Sequence, residues 1–167
     1  MSRKKKKRAK APKGSDLVVV REATEDDIAV IIPMAKSAYG NGASEVLGEF
    51  DADAVSQFVA NLIANPKDSA ILLARINGVP VGMLALFLMP SFLSPATVMG
   101  QEFSLWVDPE HRTHGVGSSL LMAAESWASD RAAKVLNVVA MRDQGDLARR
   151  FLVSGYRLLQ STYTRRL

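Results

Sequence analysis

Apolar positions along the chain fall either into short continuous runs or into helical spacing. Residues 17–21, with three consecutive valines, predict a first strand. A helix should follow, because Thr24 can cap it and the acidic residues behind Thr24 favour the positive end of a helix. Pro33 is expected to interrupt or kink this helix after roughly two turns. Its apolar residues recur at helical spacing: Ile28, Ile31, Ile32, Ala35 and Ala38.

A second helix and a hairpin are predicted next. Asp51 opens the helix and Asn65-Pro66 ends it. Residues 70–76 and 81–89 read as two strands that flank Asn77-Gly78, a hairpin signal. Residues 90–95 predict a loop. The apolar face of the helix comprises Val55, Phe58, Val59, Leu62 and Ile63.

The second half of the chain predicts a central strand at residues 97–107 and a helix at residues 117–131. A buried strand at 134–141, a short helix at 146–154 and a last strand at 156–167 complete the order. The 167 residues contain no internal repeat and predict one domain.

The junction between the central strand and its helix carries the pattern R-x-x-G-x-G, formed by Arg112, Gly115 and Gly117. A helix N-terminus offers unpaired N–H groups and a positive dipole end, and glycines let the backbone approach a ligand closely. Arg112 adds a permanent charge that suits phosphate oxygens. This pattern predicts a cradle for a nucleotide diphosphate.

Two common phosphate-binding motifs do not fit this junction. A dinucleotide-binding turn would need a third glycine at Leu120. A Walker-type loop would need a lysine between glycine and Ser118, but Gly117 precedes Ser118 directly. A glycine-rich connection that binds no ligand is the remaining alternative.

The junction resembles the acetyl-CoA-binding motif of the Gcn5-related N-acetyltransferase (GNAT) superfamily. That motif is an apolar strand, a V-x-P-x-x-R-type turn and R/Q-x-x-G-x-G/A before a helix, and the chain supplies residues 107–112 and then Gly115 and Gly117. Residues 148–157 (ARRFLVSGYR) also resemble the family's A-x-x-F-Y-x-x-x-G-F segment. The motif set at residues 102–112 and 127–128 further looks like GNAT proteins encoded by bacteriophages.

The resemblance implies an α/β fold (α+β mixed sheet). It would be a single-domain GNAT-like fold over residues 15–167, with a central mixed sheet whose middle strands splay apart and are flanked by helices. It also implies an acetyl-CoA-dependent N-acetyltransferase that acts by direct transfer in a ternary complex with a primary amine. Family members are often homodimers. The residues expected to bind acetyl-CoA are Leu105, Trp106 and Val107 on the strand, and Arg112, Thr113, His114, Gly115, Val116, Gly117 and Ser118 in the cradle.

Glu102 is the candidate catalytic base. Many family members keep a carboxylate at this place on the central strand, facing the acceptor. Burial in an apolar strand would raise its pKa toward useful base strength. Strand alternation and an expected bulge leave its direction open, so a solvent-facing or salt-bridged acid is the alternative.

The general acid departs from the family pattern, because Leu152 stands where many members have a tyrosine. Water, Ser104, Tyr156 or Tyr163 could replace it. The chain has no cysteine, so no disulfide, cysteine-based metal site or cysteinyl acetyl-enzyme is possible. The two histidines, both in the cradle loop, predict no metal site.

The formal net charge of +4 conceals an asymmetry. Eight of the 21 basic residues lie in residues 1–14, which hold no acid, so the rest of the chain has 13 basic and 17 acidic residues and a net charge of −4. The basic arm, residues 1–14, should be disordered and could bind nucleic acid or another polyanion. The alternative function is therefore a GNAT-fold binding module with little catalysis that works through this arm.

The remaining patterns bear on location and on the acceptor. The longest apolar run, residues 79–89, is too short to span a bilayer, and the N-terminus lacks a secretory h-region. We therefore expect a cytoplasmic protein, in the host cytoplasm if a phage encodes it. The acidic body could attract a polyamine, an aminoglycoside or a lysine-containing peptide, or its acids could simply cap helices and cover the surface.

Overall fold

The computed structural model describes residues 17–40, 47–92, 94–141 and 144–165. The basic arm, residues 1–14, lies outside the described residues. Within these ranges one five-stranded sheet has the order β1-β2-β3-β4-β5. Its strands are β1 (Val18–Glu22), β2 (Ser69–Ile76), β3 (Val79–Ser91), β4 (Ser94–Val107) and β5 (Val135–Asn137). The helices are α1 (Ile28–Tyr39), α2 (Ala52–Ala64), α3 (Val116–Asp130) and α4 (Gly145–Val153).

The sheet is mixed, as the sequence predicted. β1 to β4 pair antiparallel with their neighbours, and β5 joins β4 in parallel. A parallel neighbour needs a crossover connection, and α3 supplies it between β4 and β5. No helix in the described part of the chain is long and apolar enough to cross a membrane.

Two hydrophobic cores cover the two faces of the sheet. Alternation along β2 divides its residues between them: Leu72 and Ala74 pack with α3, whereas Ile71 and Leu73 pack with α1 and α2. Because both faces are covered, β2 is buried at nearly every position and its sequence reads as a continuous apolar run. The helices are therefore held against the sheet on both of its faces.

Acids at the helix starts serve the fold. The buried Asp27 carboxylate accepts hydrogen bonds from Arg21 and Arg75, at 2.7 and 2.8 Å, and from the Thr24 backbone N–H at 2.9 Å. The Arg21 hydrogen bonds are the main reason that the pKa of Asp27 lies far below its usual range. Asp51 caps α2 by accepting from the first amides of the helix, at 2.9 and 3.0 Å.

Two predictions at prolines were wrong: an interruption of the first helix at Pro33 and a loop over residues 90–95. Helix α1 continues through Pro33 to Tyr39. Pro33 is exposed while its neighbours Ile31 and Met34 are buried, so packing against the sheet outweighs one lost hydrogen bond. The predicted loop at residues 90–95 is mostly strand, because β3 and β4 extend past the end of β2. Pro90, which has no N–H to donate, is tolerated there because the β2–β3 pairing ends at Phe87 and no third strand among the described residues pairs at Pro90.

The C-terminal strands are shorter than the patterns predicted. Only Val135–Asn137 of residues 134–141 is strand, and residues 156–165 form none. Leu158 and Leu159 are each 81% exposed. Their apolar pattern predicted a strand, but a strand also needs a neighbour to pair with, and residues 156–165 pair with none of the described strands.

Candidate active site

Strands β4 and β5 separate in the middle of the sheet. Their pairing ends at Gln101 and Asn137, where the Asn137 side chain donates to the Gln101 side chain at 3.3 Å. β4 nevertheless continues to Val107 and stays paired with β3 on its other side. Its free edge beyond Gln101 therefore faces no strand among the described residues, and backbone polar groups there can bind a ligand as a further strand would. The predicted splay is confirmed.

A bulge sits at the start of this free edge. Glu102 is opposite Leu86 and Ser104 is opposite Ala85, so Phe103 is an extra residue in β4. Neighbours in a regular strand point to opposite faces, yet Glu102 and Phe103 line the same cavity. Glu102 borders the cavity together with the three residues that follow it, Phe103, Ser104 and Leu105.

Glu102 is buried at 1% exposure, so the solvent-facing alternative was wrong. Its Oε2 accepts a hydrogen bond from the backbone N–H of Val139 at 2.7 Å. Burial raises the pKa of Glu102 to about 7, while the Val139 hydrogen bond opposes that rise. Glu102 makes no salt bridge with any described residue. A carboxyl group of this pKa exchanges protons readily near neutral pH.

The cavity in front of Glu102 has a volume of about 290 Å³. It lies between α1, α2, the free edge of β4 and the segment after β5. Glu102 is the sole acidic residue among the described residues that line it, and no basic residue joins it. Much of its wall is aromatic, formed by Tyr39, Phe50, Phe58 and Phe103.

The predicted cradle lies at the far end of β4. Gly115 adopts a left-handed conformation, with φ +78°, directly before α3. The first hydrogen bond of the helix runs from the Ser119 N–H to the Gly115 carbonyl oxygen at 3.0 Å. The amides of Val116, Gly117 and Ser118 therefore have no acceptor within the helix. A Cβ added at Gly117 would meet only Val107 Cγ2, at 3.9 Å, so the space before these amides is open.

Close backbone contacts hold the cradle against the sheet. The Asp108 N–H donates to the Val81 carbonyl oxygen at 2.9 Å. A Cβ at Gly82 would approach both the Trp106 carbonyl oxygen and Val116 Cγ1 to 3.0 Å, so glycine lets α3 start directly on β3. The Nε of Arg112 donates to the Val107 carbonyl oxygen at 3.1 Å, which places the guanidinium at the end of β4.

The structure thus gathers the predicted binding residues along one path. Leu105, Trp106 and Val107 lie on the free edge of β4, and residues 112–118 form the loop and first turn of α3. Free strand edge, open glycines and unpaired helix amides together fit a pantetheine arm ending in a diphosphate. That these residues bind acetyl-CoA stays a prediction.

The side chains that could act as the general acid lie in different parts of the structure. Ser104 lines the cavity together with Glu102. The Tyr156 hydroxyl donates to Glu125 at 2.6 Å, and burial with this contact raises the pKa of Tyr156 well above its usual range. Tyr163 is 94% exposed and Leu152 is 58% exposed. Ser104 shares the cavity with the candidate base, and Tyr156 lies close enough to Glu102 for the Glu102 charge to contribute to the raised pKa of Tyr156.

Two other features are structural. The ring of Trp127 is 4% exposed, and the guanidinium of Arg131 stacks on it at 4.1 Å; both line a groove of about 380 Å³ beside β1. His111 lies 3.7 Å from the Asp108 carboxylate, a partner that the sequence did not indicate. No cluster of three or more metal-ligating side chains occurs among the described residues.

Sequence reasoning missed the Val139 amide and the aromatic wall. A backbone N–H leaves no signature in a sequence, so Val139 had no signal. Phe58 was assigned to the buried face of α2, but it is 50% exposed and borders the cavity. Tyr39 and Phe50 flank the connection between α1 and α2, and their ring centroids lie 5.6 Å apart. Aromatic residues on both sides of that connection were the available signal.

Comparison with known proteins agrees with this geometry. The sequence model described as "Acetyltransferase (GNAT) family" matches residues 41–156. No curated protein matches the chain.

Solved structures of similar fold cover nearly the whole chain. A transcriptional regulator from Bacillus halodurans C-125 superimposes with a TM-score of 0.73 at 17% identity, over 90% of this chain and 100% of its own. A ribosomal-protein-alanine N-acetyltransferase from Brucella melitensis biovar Abortus 2308 superimposes with a TM-score of 0.69 at 20% identity, over 90% of this chain and 99% of its own. The aminoglycoside N-acetyltransferase AAC(6')-Iy in complex with CoA superimposes with a TM-score of 0.73 at 14% identity, over 94% of this chain and 98% of its own. At these identities the likeness establishes the fold alone.

Proposed function

Because the chain belongs to the acetyltransferase (GNAT) family, we propose that it moves an acetyl group from acetyl-CoA to a primary amine by direct transfer in a ternary complex. The observation that carries the proposal is the position of Glu102. A buried carboxyl group with a raised pKa lies where β4 and β5 part, between the free strand edge and a cavity that opens to solvent.

The chain's own groups would hold acetyl-CoA along β4 and α3. Backbone groups of Leu105, Trp106 and Val107 bind the pantetheine arm, and an N–H near Leu105 polarises the thioester carbonyl. The amides of residues 113–118, with Arg112 beside them, hold the diphosphate. Acetyl-CoA supplies the activated acetyl thioester when it is bound.

Glu102 removes the proton that blocks the reaction. An alkyl ammonium, with a pKa of about 10.4 by analogy with lysine, has no lone pair at neutral pH. The apolar cavity lowers that pKa, because burial disfavours the charged amine, and the Glu102 carboxylate accepts the proton. The neutral amine nitrogen then forms the new C–N bond as the C–S bond breaks. Holding both reactants side by side recovers the entropy of their encounter.

A dedicated acid is not required for the leaving group. A thiol has a pKa of about 8.5 by analogy with cysteine, so a thiolate leaves readily. Ser104 is the one candidate side chain in the cavity that can relay a proton to it. With no cysteine in the chain, a cysteinyl acetyl-enzyme does not form.

The test is amine-dependent release of coenzyme A by the purified protein, followed through the new thiol. A screen offers polyamines, aminoglycosides, aromatic amines and lysine peptides with acetyl-CoA. Release that requires both an amine and the protein supports the proposal. Folded protein that binds acetyl-CoA and releases no coenzyme A with any of these amines would overturn it.

The basic arm gives a second candidate role. Its eight positive charges in residues 1–14 favour contact with nucleic acid or another polyanion, either in place of catalysis or as a way to deliver the domain to its target. A bacteriophage origin, a cytoplasmic location and a homodimer likewise stay predictions of the sequence.

A further inference from the structure

We infer that the acceptor is a small free amine that bears one compact apolar substituent, with an aromatic ring as the best fit. The inference rests on the proposed function and concerns the cavity in front of Glu102. Three properties of the cavity carry it: its aromatic wall, Glu102 as the one acid among its described lining residues, and its size.

The aromatic wall presents unsatisfied ring surface. Phe58 and Phe103 meet edge to face, with their centroids 5.7 Å apart, yet they remain 50% and 36% exposed. Tyr39 and Phe50 form a second pair across the same cavity. A ligand ring can cover this surface with the offset or edge contacts that aromatic groups prefer.

The single acid limits the charge of the ligand. Glu102 can neutralise one ammonium group, and the other described lining residues are apolar or neutral. A polyamine or an aminoglycoside would bring further ammonium groups into an apolar space, which is costly without partners. Two acids that could have attracted a cationic acceptor are used elsewhere, since Asp27 pairs with Arg21 and Arg75 and Asp51 caps α2.

The volume favours a small free amine over a peptide. About 290 Å³ lies at the lower end of the range of roughly 300–1,000 Å³ that small-molecule sites span. One ring and a short alkyl amine suit such a space, whereas a longer chain would have to extend out of it.

The experiment titrates amines into the full chain by calorimetry, in the presence of coenzyme A. We expect the Kd of 2-phenylethylamine to be about 10- to 100-fold lower than that of ethylamine, because the ring is removed from water. Spermidine should bind no more tightly than ethylamine. Phe58→Ala should remove most of the advantage of 2-phenylethylamine, and Phe103→Leu gives a second variant that keeps the apolar volume. Phe92→Ala is the matched control, since Phe92 is 92% exposed and lies outside the cavity.

The outcomes separate the inference from the proposed function. Spermidine or kanamycin binding as tightly as 2-phenylethylamine would overturn the inference, and coenzyme A release with those amines would leave acetyl transfer standing. Tighter binding of phenylalanylglycine would assign the cavity to peptide N-termini and overturn the choice of a free amine. Selective binding of 2-phenylethylamine without coenzyme A release by any amine would uphold the ligand class and overturn the transferase proposal.

Discussion

The Oε2 of Glu102 accepts a hydrogen bond from the backbone N–H of Val139 at 2.7 Å, across the point where β4 and β5 separate. The contact joins the candidate base to the splay of the sheet. Had β5 continued alongside β4, the Val139 amide would have been used by strand pairing. The same divergence therefore opens the edge of β4, frees an amide for Glu102 and makes room for the acceptor cavity.

Replacing Glu102 by glutamine should remove the base and keep its shape. We expect kcat to fall by about 10²- to 10⁴-fold, which is the usual contribution of a general base. The Kd of acetyl-CoA should stay unchanged, because Glu102 lies outside the predicted binding path. Steady-state kinetics with calorimetry check both. Glu25→Gln, an exposed acid beside β1, is the control; unchanged kcat in Glu102→Gln would remove the assignment.

The rate should depend on pH through Glu102. A base must be unprotonated to act, and the pKa of Glu102 is raised to about 7. We therefore expect kcat/KM to rise with pH and to level off above that pKa. The acidic limb should disappear in the residual activity of Glu102→Gln. A rise in kcat/KM centred near the ordinary pKa of a glutamate, about 4.3, would show that burial does not raise the pKa of Glu102.

The same substitution should stabilise the fold at alkaline pH. A carboxyl group whose pKa is higher in the folded than in the unfolded state stabilises the fold when protonated, and this advantage is lost as pH rises through the folded value. Above the pKa of about 7, wild-type protein keeps a buried charge that the glutamine variant lacks. We expect the variant to gain up to about 3 kcal/mol in free energy of unfolding at pH 8 and little at pH 4. Urea titrations at the two pH values check this, and an equal gain at both would contradict it.

A negative charge placed in the predicted cradle should test whether it binds the diphosphate. Gly117→Glu places a carboxylate before the open amides of α3. We expect the Kd of acetyl-CoA to rise by at least about 100-fold, since two or more charge-assisted hydrogen bonds are lost. Gly145→Glu is the matched control at the start of another helix, α4, because a Cβ there meets nothing within 4 Å and a Cβ at Gly117 meets only Val107 Cγ2 at 3.9 Å. Equal affinities of the two variants would place the diphosphate elsewhere.

Deleting residues 1–14 separates the two candidate roles. The arm holds eight basic residues and the rest of the chain is net acidic. We expect full-length protein to bind duplex DNA with an affinity that falls steeply with salt, and the deletion to abolish this binding. Acetyl-CoA binding should be the same in both proteins. Salt-dependent DNA binding that survives the deletion would move the contact to another surface.

Much of the fold could be predicted because its signals are local. The Asn77-Gly78 turn, the Asp51 cap and the glycines at positions 115 and 117 each specify backbone geometry over a few residues, and the structure has a turn, a helix start and a cradle-shaped junction at those places. The apolar spacing of α2 and α3 predicted helices for the same reason. These elements depend on interactions between close neighbours in sequence.

The wrong predictions fall where contacts between residues far apart in sequence determine the structure. Pro33 stays within α1 because the sheet packs against the residues on either side of it, and residues 156–165 form no strand because they pair with none of the described strands. Neither partner is visible in the local pattern. At both places tertiary contacts therefore outweigh the local helix or strand propensity.

The sequence by itself determined that an acid stands in the central strand and that a glycine turn before a helix, the predicted cradle, follows it. Only the tertiary structure decided what that acid can do. Glu102 lies at a bulge beside the cavity, burial raises its pKa, and an amide 37 positions away holds its carboxylate. Charge and pKa depend on the surrounding dielectric and on partners brought together by the fold, whereas the cradle is built from consecutive backbone groups that the sequence specifies directly.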